Sequence, residues 1–258
     1  KESTSQGVFP KEIQRALLDG EIDLAVHSLK DLPTEPVEGL SLSAVPRRGP
    51  ARDVLVSRRY CSLEELPEMA VVGTGSMRRM SQLLALRPNL DVQPIRGNVE
   101  TRLQKLDDGL FDAIILAEAG LVRLGLEDRI TQPLETDWFL PAIGQGALGL
   151  ETRTDDELTI DAISPLNDVE TFAAAVAERT MLRTLHGGCL APIAALGTCE
   201  SGDLTLRGRV TALDGSVVLD AEGTGPVNDF LTIGKTVADE LLAQGAAKYI
   251  EESRRLES

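Results

Sequence analysis

The chain has 258 residues, 42% of them hydrophobic and 3% aromatic, so its cores are built from Leu, Val, Ile and Ala. That length suits two or three ordinary domains, and no run of about eighteen apolar residues offers a membrane-spanning helix. A formal net charge of −15 argues against nucleic acid or an anionic membrane surface as partner.

In chain order, residues 1–5 are polar and carry neither an apolar targeting core nor an initiating Met, which reads as a processed or truncated chain. Residues 10–19 predict an amphipathic helix with Ile13, Ala16 and Leu17 on one face and Gly20 as its stop. Residues 23–27 predict a short buried strand, and Pro33 and Pro36 break any regular element after it. The turn-rich stretch 45–50 is a candidate crossing between domains. Strands are predicted at 53–57, at 70–76 with a Gly/Ser/Thr turn at its end, at 92–95 and at 112–117. Helices to Leu86, over 99–106 and over 119–124 come after the last three. Strands alternating with helices of this length predict a mainly parallel sheet with helices on its faces.

Residues 140–146 read as a loop and 147–151 as a strand returning to the first unit. The chain then crosses between two α/β lobes twice, near 46–52 and 140–147, which makes a hinged cleft. From Asp168 the pattern changes. An Ala-rich helix over 169–185 precedes strands at 191–199, 204–213 and 216–222, with Asp214-Gly215 as a hairpin turn and a closing helix over 229–242. The expected architecture is α/β. A first lobe takes 1–46 and 147–167, a second lobe takes 52–140, and an α+β domain with a small antiparallel sheet takes 168–258.

Three cysteines, Cys61, Cys189 and Cys199, do not form a disulfide framework, and a reducing cytoplasm is the simplest setting. The two histidines lie in no close Cys/His cluster, so no metal site is expected. Cys189 stands apart because it follows Gly187-Gly188. Paired glycines permit positive φ and leave no side-chain bulk beside the thiol. Ser76-Met77-Arg78-Arg79 follows a strand and opens a helix, where orphan N–H groups and forked guanidinium donors favour carboxylates or phosphates. Arg96-Gly97-Asn98 repeats the arrangement, with Arg102 and Arg123 on the next two helices. The C-terminal ends of such strands face a ligand crevice, so the five arginines suit a ligand carrying several carboxylates. His27-Ser28-Leu29-Lys30-Asp31 ends the first-lobe strand, bringing a cation beside a carboxylate able to act as acid or base. Each motif has a plainer alternative: a solvated helix face for the arginines, a capped polar loop for Asp31, an incidental thiol for Cys189.

Together, His27-Ser28-Leu29-Lys30-Asp31, the stretch from Gly73 to Arg79, the stretch from Arg96 to Arg102, the stretch from Leu140 to Gly146 and Gly187-Gly188-Cys189 resemble the porphobilinogen deaminase (hydroxymethylbilane synthase) family, in order and close to its spacing. The resemblance covers essentially the whole chain. It implies two lobes like those of type II periplasmic binding proteins plus a third α+β domain. The implied reaction deaminates four porphobilinogen units and joins them head to tail into hydroxymethylbilane, for haem and chlorophyll synthesis. It also implies a dipyrromethane cofactor attached to Cys189 through a thioether.

By the same resemblance, Asp31 is the catalytic carboxylate, handling pyrrole N–H protons and the positive charge of the deaminated pyrrole. Lys30, Ser28, Arg78, Arg79, Thr74, Ser76, Arg96, Gly97 and Arg102 bind the cofactor. Arg96, Arg102, Arg123, Gln145 and Phe9 bind substrate. The family carries a further segment ahead of the point where this chain begins, supplying a first strand and helix with another arginine and serine. A monomer in the cytoplasm is expected. Two other readings fit lobes and arginines alone: a non-catalytic two-lobed polycarboxylate-binding protein, and an inactive truncated homologue. Asp31 and Cys189 discriminate against the binding protein, which needs neither.

Overall fold

The computed structural model describes residues 8–188 and 191–255, without the side chains of residues 8 and 9. Helix α1 (Val8–Leu18) buries Leu17 beside Ala25 and Leu40 and ends before Gly20, whose φ of +72° suits a left-handed stop. Strands β1 (Ala25–Ser28) and β2 (Leu40–Ala44) come next. The second was not expected. Its Leu-Ser-Leu-Ser-Ala alternation has a strand's period, but it is short and lies between Pro36 and Pro46.

After the first crossing come β3 (Asp53–Ser57), β4 (Val71–Gly73) and α2 (Met77–Leu86). Next are β5 (Asp91–Gln93), α3 (Val99–Asp107), β6 (Ala113–Ala117) and α4 (Glu118–Arg123), then β7 (Gln132–Leu134). Strand β7 also escaped the pattern, because Pro133 interrupts it. A proline is tolerated there because β7 is the edge of its sheet. Strand β8 (Leu148–Arg153) returns and pairs with both β1 and β2. Helix α5 (Glu157–Ile163), capped by Asp156, leads to α6 (Val169–Thr184), capped by Asp168.

Strands β9 (Ile193–Glu200), β10 (Asp203–Thr211) and β11 (Val218–Pro226) precede α7 (Phe230–Ala243) and α8 (Ala246–Arg255). The three form one antiparallel sheet in the order β11–β10–β9, with α6 and α7 over its apolar face.

The mainly parallel sheet is a correction. The first-lobe sheet, β1–β8–β2, is antiparallel throughout. The second, β5–β4–β6–β3–β7, is mixed: β4 runs parallel to β5 and β6, while β3 runs antiparallel to β6 and β7. The reason is the route of the chain. Strand β3 enters directly from the other lobe, so it starts at the edge where β4 and β6 end. Asp53, its first residue, lies opposite Ala117, the last of β6.

The two crossings touch. Gly49 N donates to Gly146 O at 2.9 Å. Gly146 has φ +80°, and a Cβ there would sit 2.6 Å from Pro50 O, so only glycine fits. Arg48 Nε donates to Gln145 O at 2.8 Å, and its NH1 to Glu178 Oε1 on α6 at 2.5 Å. Glu178 is fully buried and also accepts from Gly144 N and Gly197 N. The tip of the β10–β11 hairpin packs on the second lobe, where a Cβ at Gly215 would collide with the α2 backbone at Leu84 and Ala85. Both lobes are therefore held by the C-terminal domain.

Candidate active site

Ser28, Lys30 and Asp31 leave the end of β1 through a short 3₁₀ turn over Leu29–Asp31. Lys30 lines two cavities. One, of about 350 Å³, is bounded by Lys30, Ser76, Arg78, Arg183, Gly187 and Gly188. The other, of about 370 Å³, is bounded by Ser28, Lys30, Asp31, Arg47 and Arg123. Burial lowers the Lys30 pKa to about 8, with Arg79 and Arg78 acting in the same direction and Asp31 and Asp53 opposing. Asp31 is exposed.

Helix α2 positions the arginine pair. Ser76 caps it by accepting from Arg79 N at 3.4 Å, and Ser76 N donates to buried Thr74 Oγ1 at 3.2 Å. Arg78 and Arg79 are only 4% and 6% exposed. Both meet Asp53, which is wholly buried. Arg79 Nε and NH2 reach Asp53 Oδ1 at 3.0 and 2.6 Å, and its NH1 reaches Ile115 O at 3.1 Å. Arg78 NH1 lies 2.8 Å from Asp53 Oδ2 without hydrogen-bond alignment and donates to Leu140 O at 2.7 Å. Burial pushes the Asp53 carboxyl up, but the two guanidiniums prevail and hold it well below the usual carboxylate range.

Of the residues expected to bind, Ser76, Arg78 and Lys30 come together in the first cavity, and Ser28, Lys30, Asp31 and Arg123 in the second. Thr74, Arg79 and Gln145 sit behind these walls and line neither cavity. Arg96, Gly97 and Arg102 stand after β5, also outside both. Arg96 is exposed, and Arg102 Nε donates to Gly97 O at 2.8 Å. Gly97 has φ +118°, and a Cβ there would press on Thr101. Phe9 falls in α1, and its side chain lies outside the described residues. Cys189 also lies outside them.

The turn leading to Cys189 differs from expectation. The left-handed residue is His186, at φ +51°; neither Gly187 nor Gly188 has positive φ. The glycines serve space instead. A Cβ at Gly187 would collide with Ile193 and Leu182, while one at Gly188 would meet nothing within 4 Å. His186 is held from α8, whose Arg254 donates to its carbonyl.

A model of the porphobilinogen deaminase dipyromethane cofactor binding domain matches residues 1–161, and one of the porphobilinogen deaminase C-terminal domain matches 172–243. The chain belongs to the porphobilinogen deaminase family. A porphobilinogen deaminase of Desulforudis audaxviator is 49% identical over 249 residues, which are 96% of this chain and 81% of that protein. One of Chromobacterium violaceum is 51% identical over 245 residues, 95% and 79% of the two chains. Among solved structures, the aliphatic sulphonate binding protein SsuA of Escherichia coli overlaps with a TM-score of 0.41 at 16% identity, over 69% of this chain and 58% of that one. That overlap is too loose to add to the family assignment.

Within this member of the porphobilinogen deaminase family, sequence reasoning overlooked Asp53, Arg48 and Glu178. Asp53 had a readable signal: it opens the strand Asp53-Val54-Leu55-Val56, too apolar for its first residue to face water, so a buried carboxylate there requires a cationic partner. Glu178, in an Ala-rich helix, carries the same signal. Arg183 had none, because an arginine in the last turn of a helix is ordinary. Among the described residues, no group of three or more His, Cys, Asp or Glu side chains is placed to hold a metal ion. No described helix is long and apolar enough to cross a membrane.

Proposed function

We infer that this chain is a porphobilinogen deaminase, a transferase of tetrapyrrole synthesis that removes ammonia from porphobilinogen and joins four units head to tail into hydroxymethylbilane. The observation that carries this reading is the first cavity. Its cationic wall of Lys30 and Arg78 faces the Gly187-Gly188 turn that leads into Cys189. The residues present suit a dipyrromethane, whose two rings bear acetate and propionate arms. The cavity has room beside Gly188, and Arg78 Nε is a buried donor without a partner. The dipyrromethane supplies the pyrrole carbon to which the first substrate ring is joined.

Cys189 is its attachment point. Lys30, Ser76 and Arg78 bind its acid arms directly, and Arg79, one layer behind that wall with its N–H groups on Asp53 and Ile115 O, adds its charge to the grip. Thr74 fixes the turn carrying Ser76. Arg96, Gly97 and Arg102 extend the cationic edge for cofactor and substrate alike, and Gln145 braces the floor. Ser28 and Arg123 bind substrate carboxylates in the second cavity, and Phe9 is a further substrate-binding residue. Asp31, on the same cavity, accepts a hydrogen bond from the pyrrole N–H. It thereby stabilises positive charge on the ring as ammonia departs. Two-point binding of each ring fixes its orientation, which accounts for much of the rate when two rings couple.

The three units are residues 1–46 with 147–167, residues 52–140 and residues 168–258, acting as a cytoplasmic monomer. Intact-protein mass tests the reading. Folded protein carries the added mass of two pyrrole units, and Cys189→Ser carries none. Asp31→Ala keeps the added mass and releases no ammonia. Wild-type protein without added mass would falsify the assignment.

A further inference from the structure

Asp53 is the first residue of β3, at the cleft edge of the second sheet, where the first crossing ends. Four donors converge on it from three residues. Oδ1 takes Arg79 Nε, Arg79 NH2 and Gln145 Nε2 at 3.0, 2.6 and 3.0 Å, while Oδ2 has only Arg78 NH1. Gln145 sits on the return crossing and also donates to Ala51 O, on the first, at 2.7 Å. One carboxylate therefore joins both crossings to both guanidiniums.

The cluster is also unfinished. Among the described residues four buried side-chain atoms have no hydrogen-bond partner, and three of them are here: Asp53 Oδ2, Arg78 Nε and Gln145 Oε1. A purely structural ion pair in a well-packed interior would satisfy these groups. Arg78 Nε, a donor on a residue of the cavity wall, is the one of the three that an ionised acid arm can satisfy, whereas Asp53 Oδ2 and Gln145 Oε1 are acceptors and can be completed only by an N–H or O–H donor.

We propose that Asp53 is a positioning residue: shared between Arg78 and Arg79 and braced by Gln145, it sets the direction of the two guanidiniums that grip the acid arms and ties that direction to the junction of the lobes. This rests on the cavity being the acid-arm site. Without the carboxylate, Arg78, Arg79 and Lys30 are three cations with no buried counter-charge, and the guanidiniums turn away from one another. Asp53 thus lets a cationic pocket keep its shape before ligand arrives. A rotation of one lobe against the other moves Gln145 relative to Asp53 and reorients the pair.

Two variants test this. Asp53→Asn keeps the shape and removes the charge. Folded Asp53→Asn protein is expected to carry pyrrole mass on less than about a tenth of its molecules, since a buried pair has lost its partner. Gln145→Met removes the brace and leaves both ion pairs. Its expected signature is full loading, a thermal midpoint within a few degrees of wild type, and KM for porphobilinogen raised roughly three- to tenfold with kcat within about twofold. The split between KM and kcat is the readout that a merely structural role would not move. Full loading with unchanged KM in folded Asp53→Asn, or a lowered midpoint with unchanged KM in Gln145→Met, overturns the proposal. Where Asp53→Asn does not fold, Gln145→Met decides alone. Missing mass on the wild type itself would remove the acid-arm reading; loaded wild type with indifferent variants would remove only this one.

Discussion

Arg78 and Arg79, and Arg96, Arg102 and Arg123, all belong to the second lobe and arise from the same local device, an arginine just after a strand of one sheet. They differ in how they are held. The first two are buried, share the Asp53 carboxylate and bond to the carbonyls of Leu140 and Ile115. The other three have no carboxylate within ion-pair distance among the described residues, and Arg96 and Arg123 are exposed. The first pair is preorganised, its ordering cost met during folding. The second group has no such counter-charge, so on our reading more of its ordering cost falls at ligand binding, although Arg102 is already tied to Gly97 O. A chain-building enzyme has use for both: a fixed grip on the tethered primer and a yielding one on each incoming ring.

The largest effect that would break this contrast is on stability. Arg79→Leu leaves Asp53 buried with one misaligned guanidinium and the neutral Gln145 amide, and is expected to cost about 3–5 kcal/mol in urea unfolding. Arg123→Leu is expected to change stability by less than about 0.5 kcal/mol. If both variants unfold alike, the two groups are not different in kind.

Arg123→Leu should instead act on substrate. Loss of a charge-assisted bond raises KM for porphobilinogen roughly ten- to a hundredfold, while primer loading by intact mass stays complete. An unchanged KM would remove Arg123 from the second cavity's grip.

Lys30 gives a pH test. Its folded pKa of about 8 lies below the ordinary 10.5. The cation facing both cavities is therefore lost as pH rises through 8, and KM should climb several-fold between about pH 7 and 9. Stability moves the other way. From pH 8 to 10.5 the unfolded chain binds more protons at this group than the folded one, so its contribution to stability rises with pH across that window. Lys30→Met should flatten both trends.

The smallest expected effect is ionic. Exposed arginines are screened over a Debye length of about 8 Å at physiological salt, and buried ones much less. Salt should raise KM in the wild type by a few-fold and less in Arg123→Leu, with primer retention unaffected. Equal salt slopes in the two proteins would argue against an exposed grip.

Local pattern was enough to locate the elements that carry the site. Helix α2 with its Ser76 cap, the turn after β1, the double crossing and the C-terminal antiparallel sheet are all signalled by short-range chemistry: apolar periodicity, capping residues, glycine and proline. The missed elements, β2, β7, α5 and α8, are short, proline-bounded or at a margin, where period carries little information. The Gly187-Gly188 turn was legible as open space but not in its dihedrals, because positive φ settled on His186 once packing against Ile193 and Leu182 was decided.

The kind of site was determined by the sequence itself: permanent cations after strand ends, one carboxylate beside Lys30, one thiol on a bare turn. Those are covalent properties of residue types in their local frame, and they survive any arrangement of the domains. Only the tertiary structure decided which arginines would pair with Asp53 and which would stay free. Strand β3 enters its sheet from the other lobe, against the direction of its neighbours, and so delivers a buried carboxylate to the edge where the arginines emerge. Pairing across that distance in sequence is fixed by the route of the chain, which no local window contains.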